Sequence, residues 1–165
     1  VGEAVLLAGT TNLEMKGGGS IAFLGFGEFD GEGNVNASKL GGLPVGPGGF
    51  IDIAQNARKV VFCGTFDAKG ADIAASGGEL VISAHGAVRK LVERVRQITF
   101  SGAQAIRQGQ DILYVTERAV FALRHDGLWL TEVAPGIDLR ADVLDRMDFE
   151  VKLDNPNTIP GSCFA

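Results

Sequence analysis

Gly46-Pro47-Gly48-Gly49-Phe50-Ile51-Asp52-Ile53-Ala54-Gln55-Asn56-Ala57-Arg58-Lys59-Val60-Val61-Phe62-Cys63 is the stretch from which the fold is read. Its glycine-proline opening can continue neither a helix nor a strand, so it reads as a loop, and the loop extends back to Gly41. Apolar side chains then fall at 50, 53, 54 and 57, the spacing of one helix face. Residues 59–66 read as a strand, and the unbroken Val60-Val61-Phe62 run is expected where both faces of a sheet are covered. Upstream, Ile21-Ala22-Phe23-Leu24-Gly25-Phe26-Gly27-Glu28-Phe29 reads as an earlier strand, and its two glycines suit close backbone neighbours. Asp30-Gly31-Glu32-Gly33-Asn34 turns the chain after it. Strand, glycine loop, helix, buried strand is the pattern of an α/β domain with an open, partly parallel sheet. Ligands of such sheets sit at loops off the carboxyl ends of strands.

The second half reads as β-rich. Short strands are expected at 71–75 and 79–84, and longer ones at 112–116, 119–124 and 128–133. His125-Asp126-Gly127 joins the last two as a hairpin turn. The stretch 89–96 fits helix or strand, and 95–100 fits strand better. Asp138 caps a helix over 139–147, with Leu139, Val143, Leu144 and Met147 on one face. From Asp154 two prolines and a glycine predict a coil tail or arm, 154–165. No repeat and no linker divides the chain, so 1–165 reads as a single domain.

Composition removes several functions. Twenty-four of 165 residues are glycine, about twice the usual share of roughly 7%. With five prolines, this points to tight turns in an ordered fold, not a disordered linker. The net charge is -5, and no Lys/Arg-rich run interrupts it, which argues against nucleic acid or an anionic membrane as a partner. No apolar run is long enough for a transmembrane helix. The N-terminus lacks signal-peptide character and an initiator Met, as in a trimmed chain or a piece of a longer one. Cys63 reads as a buried core thiol and Cys163 is remote from it, so a reducing, cytoplasmic setting is the default.

Few residues have the spacing that chemistry requires. His85 and His125 have no ligand-spaced partner, the cysteines form no CxxC, and no zinc or other metal site is indicated. His125 reads as a solvated turn residue and His85 as structural. Neither a nucleophile elbow nor a P-loop occurs. Gly25-Phe26-Gly27-Glu28-Phe29-Asp30-Gly31 misses the dinucleotide fingerprint by one residue and lies inside a strand. Glu28, Asp30 and Glu32 read as a solvated rim, with cation binding as the alternative. Thr116-Glu117-Arg118 reads as a turn or a structural Glu–Arg pair. The strongest feature is Gly46–Asp52. A glycine pair at a helix start bares backbone N–H groups, which can hold a phosphate, a carboxylate or an oxyanion. The plain alternative is a flexible loop entering a helix.

Several motifs in fixed order carry a resemblance. They are Gly17-Gly18-Gly19, Ile21-Ala22-Phe23-Leu24-Gly25, Asp30-Gly31-Glu32-Gly33-Asn34-Val35-Asn36, the run 48–66, Gln97-Ile98-Thr99-Phe100-Ser101-Gly102, the run 114–121, Ala134-Pro135-Gly136-Ile137-Asp138-Leu139 and Met147-Asp148-Phe149. Over about residues 17–150 the chain resembles the C-terminal half of family I coenzyme A transferases. The type is the single-chain acetate or short-chain acyl-CoA:acetate/3-ketoacid CoA-transferase. Residues 1–16 match poorly.

The resemblance implies an open mixed α/β sheet of the NagB/RpiA/CoA-transferase-like type. It also implies coenzyme A as substrate, with no tightly bound cofactor, in short-chain acyl-CoA metabolism. In the implied reaction a glutamate attacks an acyl-CoA to give a mixed anhydride, and CoA thiolate converts this to a glutamyl-CoA thioester. An acceptor carboxylate then takes the CoA. Gly48 and Gly49, with Phe50 next, match the loop that supplies an oxyanion and CoA contact. The nucleophile is expected upstream: neither Glu3 nor Glu14 is followed by the small-residue turn that family members carry, so no catalytic residue is assigned in the chain. The chain alone is therefore expected to be inactive, with an N-terminal CoA-transferase half as its partner. Two other readings stand beside this one: a non-catalytic CoA- or anion-binding module, and an assembly domain that self-associates as a homodimer through an exposed former interface.

Overall fold

The computed structural model describes residues 13–15 and 19–165, so Glu3 and the Gly17-Gly18 pair lie outside the described residues. The strands come in the order β1 (Leu13–Met15), β2 (Gly19–Gly25), β3 (Glu28–Phe29), β4 (Val35–Asn36), β5 (Lys39–Leu40) and β6 (Leu43–Pro44). Helix α1 (Phe50–Asn56) leads into β7 (Lys59–Cys63). Then follow β8 (Asp67–Ala68), β9 (Asp72–Ser76), β10 (Glu79–Ala84), β11 (Val88–Arg89) and helix α2 (Gly102–Gln108). The chain closes through β12 (Asp111–Val115), β13 (Ala119–Arg124), β14 (Gly127–Val133), two irregular helical turns over 139–146, and β15 (Lys152–Thr158). Seven strands form one mixed sheet in the order β1-β2-β7-β12-β13-β14-β15. Adjacent β2, β7 and β12 are parallel, as are β14 and β15, and the remaining pairs are antiparallel. This is the mixed α/β sheet with a β-rich second half that the sequence predicts.

Register builds the core. Leu24, Phe62, Tyr114 and Phe121 are successive cross-strand partners on one face of the sheet, and all four are buried. Phe29 packs on Tyr114 with ring centroids 4.7 Å apart, and Phe100 meets Phe62 edge-on at 4.9 Å. Burying each such side chain is worth about 1.5–3 kcal/mol. The Tyr114 hydroxyl donates to the Gly33 carbonyl at 2.6 Å, which satisfies the polar end of a fully buried ring. Burial, and then the Asp30 carboxylate, push that phenol well above its usual range.

Helix α1 forms where the spacing places it, and its two ends are tied to opposite ends of the sheet. Phe50, at its start, stacks on Phe62 near the carboxyl end of β7 at 5.8 Å. The carbonyls of Ala54 and Ala57, at its finish, accept from Gln110 Nε2 at the amino end of β12, at 2.9 and 2.6 Å. The helix therefore runs antiparallel to the strands, and its glycine-rich entrance lies at their carboxyl ends.

Several expectations are corrected. Cys63 is exposed, because Val60 and Phe62 take the core side of β7 while Cys63 ends the strand on the other side. That side is not fully covered by the described residues: Phe23, the partner of Val61, is 44% exposed. Residues 95–100 form no strand, only a single bridge from Phe100 to Val35. The sequence reading assigns no element to 102–108, yet α2 forms there, capped by the Ser101 side chain and closed by Gly109 at φ +67°. The expected helix over 139–147 is a π turn and a 3-10 turn behind the Asp138 cap. Lys152–Thr158, read as coil from Asp154, instead pairs in parallel with β14.

Glu28 and Asp30 are not a solvated rim. Asp30 is 2% exposed and accepts from Glu32 N, Asn34 N, Asn34 Nδ2 and Val95 N at 3.0–3.3 Å. Glu28 accepts from Asn36 Nδ2 at 2.9 Å and Arg96 N at 2.7 Å. These carboxylates hold loops together from within, because buried charges persist only when hydrogen-bonded.

Candidate functional site

Gly25, Cys63 and Val115 are in register across β2, β7 and β12, so the three parallel strands end together. Beyond these ends lie Phe26, Gly64-Thr65-Phe66 and Glu117-Arg118. The α1 entrance lies at the same end of the sheet. Gly48 has φ +52°, a conformation that side chains rarely adopt, and Gly49 begins the helix without a side-chain cap. Both glycines are exposed, whereas Phe50 is buried and its N–H donates to Pro47 O at 3.0 Å. Among the described residues neither Gly48 nor Gly49 N–H donates to a backbone carbonyl. The loop thus offers backbone donors to solvent, and Phe50 pins it to the core.

Beneath the strand ends lies a charged cluster that the sequence only hints at. Arg118 is fully buried and pairs with Asp67 at 3.0 Å and Glu117 at 3.2 Å. Its guanidinium lies 4.8 Å from the Phe66 ring centroid. It also donates to the Asp142 carbonyl and to His85 Nδ1, each at 3.1 Å. A guanidinium can only donate, so Nδ1 accepts, and the neutral ring carries its proton on Nε2, 3.4 Å from an Asp142 oxygen. His85 is held within this network, and the Glu117–Arg118 pair exists as part of it. Arg146 shares Asp67 at 3.2 Å. Glu117 stands at the strand ends, but both oxygens are committed, one to Arg118 and one to Phe66 N at 2.8 Å.

Lys90 completes the rim. Its backbone is fixed by Phe29 N, which donates to its carbonyl at 2.9 Å. Its side chain crosses the Phe26 ring, Nζ 4.3 Å from the centroid, and donates to Thr65 Oγ1 at 3.3 Å. Gly64 makes this approach possible: a Cβ there would lie 2.8 Å from the Phe26 ring and 3.1 Å from Lys90 Nζ. Desolvation lowers the Lys90 ammonium to about 8, against smaller opposing effects of Glu117 and Asp67. Partial burial also pushes the Cys63 thiol up, so the cysteine beside the rim stays neutral.

Among the described residues no group of three or more His, Cys, Asp or Glu is placed to hold a metal ion. No described helix is long and apolar enough to cross a membrane.

No family model matches the chain. Curated relatives do. The acetate CoA-transferase YdiF of Escherichia coli (strain K12) is 47% identical over 133 residues, 81% of this chain and 25% of that protein. The caffeate CoA-transferase of Acetobacterium woodii is 49% identical over 138 residues, 81% of this chain and 26% of that protein. The crystal structure of the YdiF acyl-CoA transferase from E. coli O157:H7, in a thioester complex with CoA, superposes with a TM-score of 0.87 at 38% identity. The superposition covers 98% of this chain and 30% of that one. The chain thus spans about a quarter of the length of the curated relatives it matches. By sequence and by fold, the chain is similar to one part of these CoA-transferases.

Proposed function

We propose that this chain forms one wall of a coenzyme A transfer site, at the carboxyl ends of β2, β7 and β12. The exposed Gly48-Gly49 entrance of α1 carries the reading. In this reading its N–H groups donate to the oxyanion that develops when a carboxylate attacks a thioester, and contact CoA beside it; their exposure without a backbone acceptor supports it. A glutamate carboxylate adds to the acyl-CoA carbonyl and expels CoA thiolate, leaving a mixed anhydride. The thiolate then attacks the glutamyl carbonyl and expels the acyl carboxylate. An acceptor carboxylate reverses the sequence and leaves with the CoA.

In this reading the nucleophile comes from an N-terminal half of the CoA-transferase type. Support comes from the short span of the match to the relatives and from the commitment of both Glu117 oxygens. The two free cysteines suit a reducing, cytoplasmic compartment in which short-chain acyl-CoAs turn over. Calorimetry with CoA and acetyl-CoA tests the wall. The wild-type chain binds CoA, and Gly49→Val, which crowds the donors, weakens it. Equal CoA binding by both proteins, or none by either, overturns the assignment.

A further inference from the structure

We infer that Lys90 and Thr65 form an anchor for the carboxylate of a small organic acid, at the mouth formed by β2 and β7. The inference rests on the coenzyme A transfer reading only in naming that acid as the acyl acceptor. The anion anchor itself rests on geometry.

The cations near the strand ends divide into two kinds. Arg118 and Arg146 are consumed by Asp67 and Glu117. Among the described residues Lys90 has no carboxylate within ion-pair distance; its Nζ donates to Thr65 Oγ1. That hydroxyl is neutral, and one flank of the lysine rests on the Phe26 ring. A partly buried ammonium with a neutral partner lacks the counter-ion that would offset its desolvation. The charged groups acting on it, Glu117 and Asp67, are already neutralised by the two arginines.

The spare charge is a single positive one, which matches a monoanion better than a phosphate dianion. Nζ offers further N–H donors, and the Thr65 O–H stands 3.3 Å away, so two donors converge on the two oxygens of one carboxylate. Phe26, buried beneath, backs the ammonium with an apolar ring face. Gly64 keeps the approach narrow enough that Phe26 and Lys90 lie together. An ammonium poised near neutrality, at about 8, binds an anion as the charged form and gains protonation by doing so.

The test follows the Lys90 side chain by NMR in the full chain, with Lys90→Arg used to assign its signal. Sodium acetate, inorganic phosphate and sodium chloride are titrated separately. The account predicts a saturable shift with acetate, a rise in the Lys90 pKa while acetate is bound, and no comparable shift with phosphate or chloride. Acetate affinity falls about tenfold between about pH 7 and about pH 9, because an ammonium of pKa about 8 is lost across that range. Thr65→Val, which removes a hydroxyl and leaves the charge, weakens acetate at least severalfold. Phosphate shifting the signal in place of acetate would assign the lysine to a phosphate group and overturn the proposal. So would no anion response at all, or an unchanged response in Thr65→Val. The outcomes also separate the two readings: an acetate response without CoA binding sinks the transfer reading and leaves the anchor. CoA binding without an acetate response does the reverse.

Discussion

Removing the buried guanidinium of Arg118 tests whether the charged cluster holds the strand ends in place. Arg118→Met keeps most of the side-chain volume and deletes the charge. Asp67, 2% exposed, then loses its 3.0 Å partner and keeps only Arg146 at 3.2 Å. Glu117 loses its 3.2 Å partner, and His85 and the Asp142 carbonyl lose their donors. Breaking a buried ion pair from one side costs about 3–5 kcal/mol. Because Arg146 remains, the lower end applies, about 3 kcal/mol. With a urea m-value of about 2 kcal/mol/M, the unfolding midpoint drops by about 1.5 M. Urea titration followed by circular dichroism reads this directly. In the Arg118→Met background, Asp67→Asn should cost less than it does in the wild type, since the stranded carboxylate is then gone. A midpoint within about 0.3 M of wild type would refute the reasoning, as that is about 0.6 kcal/mol, far below the cost of an unpaired buried charge.

Two further outcomes follow from the same geometry. Lys90 has a folded-state pKa lowered to about 8 from 10.5, so between those values the unfolded chain binds more protons and stability rises with pH. Lys90→Met should therefore stabilise the chain near pH 7 and flatten the rise between about pH 8 and about pH 10.5, read from urea midpoints across that range. Gly33→Ala combines a φ of +77° with a Cβ 2.8 Å from Leu123 Cδ1 and 2.9 Å from the Tyr114 hydroxyl oxygen. Thermal unfolding should show a loss of at least about 1–3 kcal/mol, and an unchanged Tm would contradict the packing described.

Local pattern was enough for the parts of the fold whose burial repeats. The 50, 53, 54, 57 spacing gives α1, and the Val60-Val61-Phe62 run gives β7. The Asp126-Gly127 signal gives the β13–β14 hairpin, with Gly127 at φ +123°. Helix α2 was hidden because it buries little beyond Gly102 and Ala105, and so shows no apolar stripe. Its first residue is a glycine because the Glu32 carbonyl occupies the place a Cβ would need. A glycine placed for close approach reads locally as a breaker. Asp30 and Glu28 looked solvated because acidic residues in a turn usually are. The donors that bury them, Val95 N and Arg96 N, lie more than sixty residues away in sequence. The glycine loop of the candidate site was legible for the opposite reason, since its donors are backbone groups within one short segment. Lys90, Thr65 and Phe26 carry no mutual spacing signal: the parallel register of β2 and β7 brings Phe26 and Thr65 together, and the hydrogen bond from Phe29 N to the Lys90 carbonyl brings in Lys90.

The most direct test of the coenzyme A transfer site is a CoA-exchange assay between acetyl-CoA and isotopically labelled acetate, run on this chain with and without the N-terminal half of a relative. The account predicts no turnover by the chain alone, turnover when the two are combined, and loss of that turnover with Gly49→Val in this chain. Robust exchange by the chain alone, or full exchange by the combined halves carrying Gly49→Val, would contradict it.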